Sequence, residues 1–331
     1  MKTAVKYILL FMLLSACEKA LMQGDPDNDP VTTFEYLWTE VNNKYAYLDY
    51  KGVDWDSVYT AYLPKVKNAQ TTFAFFRVLS DMLNELRDGH VNLISSFHVS
   101  RYNLDFNAPE NYNDRVVRQF YLGEDALTTG PFQHVMLRDG VAYVRYASFS
   151  NSISKEQLLF ILNRYGNAKG LIFDVRNNGG GFRKNVFLLT DYLAPTRKLV
   201  FVEQFKSSAE KNAFTEASSL YAGGEEGSWK KPLIILTNRS CYSATSFFTL
   251  AMRNFDNVQI LGDTTGGGLG FPNGGELPNG WVYRFSVSRT LDPQGNNYEN
   301  GVPPHIYRNL DVIQSLNGID SMIEEAIDLM K

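Results

Sequence analysis

Three segments of the chain carry residues whose types and spacing could do chemistry. In Asn84-Glu85-Leu86-Arg87-Asp88-Gly89-His90-Val91 a histidine follows glycine at the end of an apolar-periodic stretch. A neutral imidazole there could act as a base, although histidines in such places also serve as surface or capping residues. In Leu171-Ile172-Phe173-Asp174-Val175-Arg176-Asn177-Asn178-Gly179-Gly180-Gly181 an apolar strand stops in a polar glycine loop. Backbone N–H groups in such a loop can approach a ligand and point at negative charge, as in a phosphate cradle, but a tight strand-to-helix turn has the same composition. No Lys-Ser/Thr pair follows at P-loop spacing, and the glycines lack dinucleotide-binding spacing. The third segment, Asn238-Arg239-Ser240-Cys241-Tyr242-Ser243-Ala244-Thr245-Ser246, follows the apolar run Leu233 to Thr237. A serine at that turn stands near the positive end of a helix dipole, where an alkoxide and an oxyanion are both stabilised. The same hydroxyl residues are also capable helix N-caps.

The elements that must position these residues are legible in the periodicity. Thr32 to Glu35 has capping-box spacing, and Phe34, Leu37, Trp38 and Val41 follow at helical spacing. A second helix is predicted from near Asp54 and a third over Thr72 to Leu86, making a small helical unit over residues 31–93. Residues 94–133 read as an irregular connecting segment rich in Tyr and Asn. Val135 to Leu137 and Val141 to Tyr146 flank Asp139-Gly140, a hairpin signal. Predicted helices at Ser154 to Tyr165, Phe182 to Tyr192 and Ala244 to Phe255 then alternate with strands at Leu171 to Val175, Leu233 to Thr237, Val258 to Leu261 and Trp281 to Val287. That order implies an α/β domain over residues 134–331 with a mostly parallel sheet covered by helices, closed by a helix from Ser321.

Composition narrows the function classes. The 331 residues are 44% hydrophobic and 21% charged, ordinary for a globular protein, and the net charge of -4 argues against broad phosphate neutralisation, hence no nucleic acid as partner. None of the four histidines, His90, His98, His134 and His305, has zinc-site spacing, so no metal and no cofactor is expected. Lys2 and Lys6 flank the apolar run Ile8 to Leu14, too short to span a bilayer, which ends in Leu14-Ser15-Ala16-Cys17. Small residues before a cysteine look like a bacterial lipobox. Residues 1–16 then read as a lipoprotein signal peptide, Cys17 as the lipidated residue, and 17–30 as a proline-broken tether. The expected location is the cell envelope, exported from the cytoplasm, with Cys241 left as a lone thiol.

Taken together the three segments resemble the family of C-terminal processing and tricorn-type peptidases, on its tricorn-like branch, which includes interphotoreceptor retinoid-binding protein-like catalytic domains. Asp88-Gly89-His90 matches the histidine motif, Asp174 to Gly181 the Asp-x-Arg-x-Asn-x-Gly-Gly loop, and Ser243-Ala244-Thr245-Ser246 the nucleophile motif. Gly262-Asp263-Thr264-Thr265-Gly266-Gly267-Gly268 matches the following glycine turn, and Tyr298-Glu299-Asn300-Gly301-Val302-Pro303-Pro304 the closing motif. The resemblance implies a crotonase/ClpP-like catalytic fold, and a serine peptidase acting on a peptide or unfolded protein through an acyl-enzyme. In its terms Ser243 is the nucleophile, His90 the base and Glu299 the group that orients His90. Backbone N–H groups of Ala244 and of Gly179 or Gly180 form the oxyanion hole. A base of this kind implies activity rising with pH through the ordinary imidazole range of about 6 to 7.

The sequence departs from the processing-peptidase branch, whose Ser-Lys pair needs a lysine inside the glycine turn, where Gly268 stands here. No lysine occurs between Pro232 and Met330. Val91 to Gln133 is shorter than an independent domain, so no PDZ domain is expected. Two competing readings remain at this stage: a non-catalytic peptide-binding lipoprotein on the same fold, and Cys241 as nucleophile. The leader yields a first prediction. Mass spectrometry of the mature protein should find a lipid-modified Cys17 as its N-terminus, and any other N-terminus contradicts it.

Overall fold

The computed structural model describes residues 29–102 and 108–331, so the leader and Cys17 lie outside the described residues. The helical unit comes first, as α1 (Pro30–Lys44), α2 (Trp55–Lys67) and α3 (Thr72–Asn84). Then follow β1 (Asn92–Ile94), β2 (Val99–Arg101), α4 (Asp114–Val116) widening into a π-helical turn, β3 (Leu127–Thr129) and β4 (Phe132–Met136). The alternating region comprises β5 (Val141–Tyr146), α5 (Lys155–Arg164), β6 (Gly170–Asp174), α6 (Arg183–Leu193), β7 (Lys198–Phe205), β8 (Ser218–Ala222), β9 (Leu233–Thr237), α7 (Ala244–Met252) and β10 (Val258–Gly262). The chain closes through β11 (Pro272–Glu276), β12 (Val282–Ser286), β13 (Ser288–Leu291), β14 (Ile306–Tyr307), α8 (Val312–Leu316) and α9 (Ser321–Asp328).

The central sheet has the order β14-β10-β9-β6-β5-β4-β3. It is parallel from β14 to β5 and antiparallel from β5 to β3. Its middle strands are apolar on both faces because both faces are covered. Ala142, Val144, Leu171, Phe173, Leu233 and Ile235 pack with α5, α6 and α7. Their alternate neighbours Tyr143, Ile172, Ile234 and Leu236 pack with α9. The predicted hairpin forms between β4 and β5, with Asp139 at φ 63° in its tight connection. Ser154 caps α5 through a full capping box.

Several expectations from sequence are corrected. Asp29, with Pro30 after it, caps α1, and Thr32 lies inside the helix with its hydroxyl bonded to Asp29. Those two residues therefore belong to the helix and not to a tether. Asp320, one residue before the expected cap, starts α9. Residues 94–133 are not wholly irregular, since they carry β2, α4, the π-helical turn and β3. The strand at Trp281 to Val287 does not join the parallel sheet. As β12 it lies in a separate antiparallel sheet of order β11-β12-β1-β2. Leu277, Trp281, Tyr283 and Phe285 from this late segment pack into the same core as Phe34, Leu37, Phe76 and Leu79 of the helices. The helical unit is thus completed by chain from the far side of the nucleophile, a pairing with no local signal.

One ion cluster ties the glycine loop to the last helix. Fully buried Arg176 reaches Asp174 at 2.6 Å and Asp320 at 2.9 Å, and Asp320 also caps α9. Replacing Asp320 removes one of the two carboxylates that balance buried Arg176, the hydrogen bonds to it and the cap of α9 together. Asp320→Ala is therefore expected to cost about 3–5 kcal/mol in urea unfolding; a loss under about 1 kcal/mol, typical of an exposed pair, would contradict this account.

Candidate active site

Ser243 sits where β9 has turned toward α7, with φ 54° and ψ -121°. A non-glycine residue at positive φ stores roughly 1–3 kcal/mol and persists only where its surroundings over-determine it. Here they do. The Ser243 N–H donates to Gly267 O at 2.9 Å, the Tyr242 N–H to Asn178 O at 3.1 Å, and the Thr245 hydroxyl to the same Asn178 oxygen at 2.8 Å. The glycine loop after β6 is thereby bolted to the nucleophile turn. Gly180 packs so closely on that turn that a Cβ would lie 2.7 Å from Tyr242 O and 2.9 Å from Ser243 Cβ.

That close approach leaves backbone donors beside the serine. Among the described residues the N–H groups of Gly179 and Ala244 have no acceptor, whereas the Gly180 N–H donates to Asn178 Oδ1 at 3.0 Å. Gly179 is exposed and Ala244 opens α7. Of the three residues singled out from sequence, Gly179 and Ala244 therefore keep a donor for an incoming oxyanion. Asn178 occupies the third.

His90 arrives from a different layer, on the turn after α3 where Arg87 has φ 49°. Its Nε2 lies 2.9 Å from Ser243 Oγ, across 153 residues of sequence. To accept the hydroxyl proton there, the neutral ring must carry its own proton on Nδ1. That Nδ1 is buried and has no hydrogen-bond partner among the described residues. Burial pushes the imidazole down to about 4, opposed by the Asp88 carboxylate and assisted by the cations Arg284 and Lys51.

Glu299 makes no hydrogen bond to His90 among the described residues. It is buried, and its Oε2 accepts the Leu269 N–H at 2.6 Å. Burial, and after it the Asp88 carboxylate, push this carboxyl up to about 8. The carboxylate in contact with the histidine segment is Asp88, which in the sequence stands out only as the first residue of the Asp-Gly-His motif. Asp88 Oδ1 accepts the His90 N–H at 2.8 Å. Its other partners come from distant elements and could not be read from local spacing.

The remaining candidates are disposed of by packing. Cys241 is fully buried, its Sγ lies 3.1 Å from Val175 O, and burial pushes its thiol up to about 12, which removes the thiolate that a cysteine nucleophile needs. Gly268 has φ 77°, and a Cβ there would lie 2.4 Å from the Tyr242 ring, so the glycine turn has no room for a lysine at that position. Beside the pair a cavity of about 360 Å³ opens, lined among others by Lys51, Arg87, Tyr102, Arg239 and Tyr242. No group of three or more metal-ligating side chains occurs among the described residues, and no helix there is long and apolar enough to cross a membrane.

The chain is similar to known peptidases in sequence and in fold. Residues 140–308 match the profile of Peptidase family S41, and residues 26–84 that of the Tricorn protease C1 domain. A crystal structure of a candidate peptidase from Parabacteroides merdae is 37% identical, with a TM-score of 0.87 over 92% of this chain and 97% of that one. The carboxy-terminal processing protease CtpA of Bacillus subtilis (strain 168) is 23% identical over 189 residues, 56% of this chain. The chain spans only 39% of that relative's length. Mature CPAF shares the fold, with a TM-score of 0.66 at 13% identity over 91% of this chain and 95% of the other.

The burial of His90 corrects the pH dependence expected from its residue type. A base that protonates only near 4 stays neutral well below the ordinary imidazole range. The rate at which a fluorophosphonate labels Ser243 should thus rise with pH through about 4 and be flat by neutrality. A half-maximum at about 6 to 7 would mean that the ring is solvated in solution.

Proposed function

The chain belongs to peptidase family S41, and we propose that it is a serine peptidase in which Ser243 attacks the scissile carbonyl and His90 takes the serine proton. The observation that carries this reading is the 2.9 Å contact between His90 Nε2 and the strained Ser243 hydroxyl. A serine hydroxyl is a poor nucleophile until a base within hydrogen-bond reach removes its proton. As the tetrahedral intermediate forms, its oxyanion takes the free N–H groups of Gly179 and Ala244, each donor worth about 3–4 kcal/mol in the transition state. His90, now protonated at Nε2, returns that proton to the leaving amine, and water repeats the sequence on the acyl-enzyme. The leaving fragment departs on the histidine side, into the cavity flanked by Lys51, Arg87 and Tyr102.

The substrate in this proposal is a peptide or an unfolded protein segment. The two named protease relatives support it, since the Bacillus protein is a carboxy-terminal processing protease and the Parabacteroides protein a candidate peptidase. The closing motif nominates Glu299 as the third member of a Ser-His-Glu triad, but its carboxyl is engaged by the Leu269 N–H and not by His90 among the described residues. To orient His90 it must move from the Leu269 N–H toward Nδ1, or act through an intervening group. The proposal keeps the lipid anchor at Cys17, which would hold the enzyme on the envelope and restrict it to exported substrates. The competing reading, a peptide-binding lipoprotein without chemistry, has no account for a strained serine, a base at hydrogen-bond distance and two free N–H donors in one place.

The test uses two readouts, fluorophosphonate labelling and hydrolysis of an unfolded protein such as casein. Ser243→Ala should abolish labelling and reduce turnover on the order of 10⁶-fold, while Cys241→Ala retains both. Wild-type protein that neither labels nor cleaves would sink the enzymatic reading in favour of binding.

A further inference from the structure

The described contacts leave one question open at the centre of the site. A histidine that accepts a proton becomes a buried cation, and a buried cation needs a countercharge close by. The motif nominates Glu299, yet Glu299 and His90 share no hydrogen bond among the described residues. The two buried carboxyl groups differ in their partners. Asp88 accepts four hydrogen bonds: from the His90 N–H at 2.8 Å, the Tyr45 hydroxyl at 3.0 Å, the Ser286 hydroxyl at 3.0 Å and the Tyr242 hydroxyl at 3.4 Å. Glu299 accepts the Leu269 N–H at 2.6 Å and has the Tyr47 hydroxyl beside it.

We propose that Asp88 is the positioning residue of the site, fixing the His90 segment and carrying the negative charge that balances the imidazolium. Converging donors favour the ionised form of the carboxyl they surround. Of two like charges in one buried region, the less solvated gives way and keeps its proton. Four donors converge on the Asp88 carboxylate and fewer reach Glu299. The upward push on Glu299 from burial and from Asp88 agrees with that division. So does the raising influence of Asp88 on His90.

The charged and titratable groups facing His90 come from several elements. Asp88 lies on its own turn, Lys51 follows α1, Arg284 is on β12 and Tyr242 precedes α7. The two cations oppose protonation of the ring and Asp88 favours it. Because the donors to Asp88 come from the end of α1, from β12 and from the nucleophile turn, the same carboxylate also fixes where the helical layer stands against the sheet.

This inference rests on the Ser243–His90 reading, and its test separates the two. The rate of fluorophosphonate labelling of Ser243 is measured against pH in full-length wild type, Asp88→Asn and Glu299→Gln, alongside an NMR titration of the His90 ring. Asp88→Asn should slow labelling at neutral pH by about 10²-fold, the low end of an acid–base contribution. It should also move the His90 midpoint below its wild-type position near 4. Asp88→Glu, which keeps the charge, should recover the midpoint. In Glu299→Gln the midpoint should stay where the wild type has it. A midpoint lowered in Glu299→Gln and unmoved in Asp88→Asn assigns the countercharge to Glu299 and overturns the proposal. Should Asp88→Asn fail to fold, the Glu299→Gln midpoint decides alone. Absence of labelling in wild type overturns the nucleophile reading, and the NMR titration then still decides the role of Asp88.

Discussion

His90 belongs to the helical layer and Ser243 to the parallel sheet, so their 2.9 Å contact exists only while two separately built cores stay docked. The docking is made of buried polar groups. Asp88 on the histidine turn collects hydroxyls from Tyr45, Ser286 and Tyr242, one from each neighbouring element. Buried hydrogen bonds of this kind add little net stability, but leaving any of them unmade is costly, which makes the arrangement close to all-or-none. A site assembled this way gains precision at the expense of tolerance.

The nucleophile turn follows the same logic. Ser243 is held at positive φ by its N–H donating to the Gly267 carbonyl, while Asn178 pins both sides of it through one carbonyl oxygen and sets the glycine loop through its amide oxygen. Gly180 has to be glycine because the loop presses on the turn within a distance no Cβ could share. The Gly179 and Ala244 N–H groups on either side of this contact are left without an acceptor among the described residues. Behind the loop, Arg176 sits between Asp174 and Asp320 and transmits the position of α9 to the loop's start. Strain at the serine and burial of charge beneath it are two parts of a single rigid support.

The same rigidity explains why the ionisable groups sit far from their ordinary ranges. Exclusion of water lowers the histidine, raises Glu299 and raises Cys241. One environment thus readies a neutral base, silences a nearby thiol and pushes one of two carboxyl groups upward. Lysine chemistry is closed off by shape, since Gly268 lies under the Tyr242 ring.

The sequence by itself determined the alternating α/β region, the hairpin at Asp139-Gly140 and the helices of the N-terminal unit. Each rests on hydrophobic period and local turn chemistry, which act over a few residues. It also marked the segments around His90, Gly179 to Gly181 and Ser243 by local signals, whereas the roles of Ser243, His90, Glu299, Gly179, Gly180 and Ala244 came from the resemblance to a peptidase family. Only the tertiary structure decided that β12 completes the helical unit, since nothing near Trp281 marks it for pairing with Asn92 to Ile94. Tertiary structure alone likewise assigned the Gly180 N–H to Asn178, gathered the donors of Asp88 and left Glu299 apart from His90. Those outcomes depend on which side chains from distant segments meet in a space without water, and spacing along a chain does not encode that.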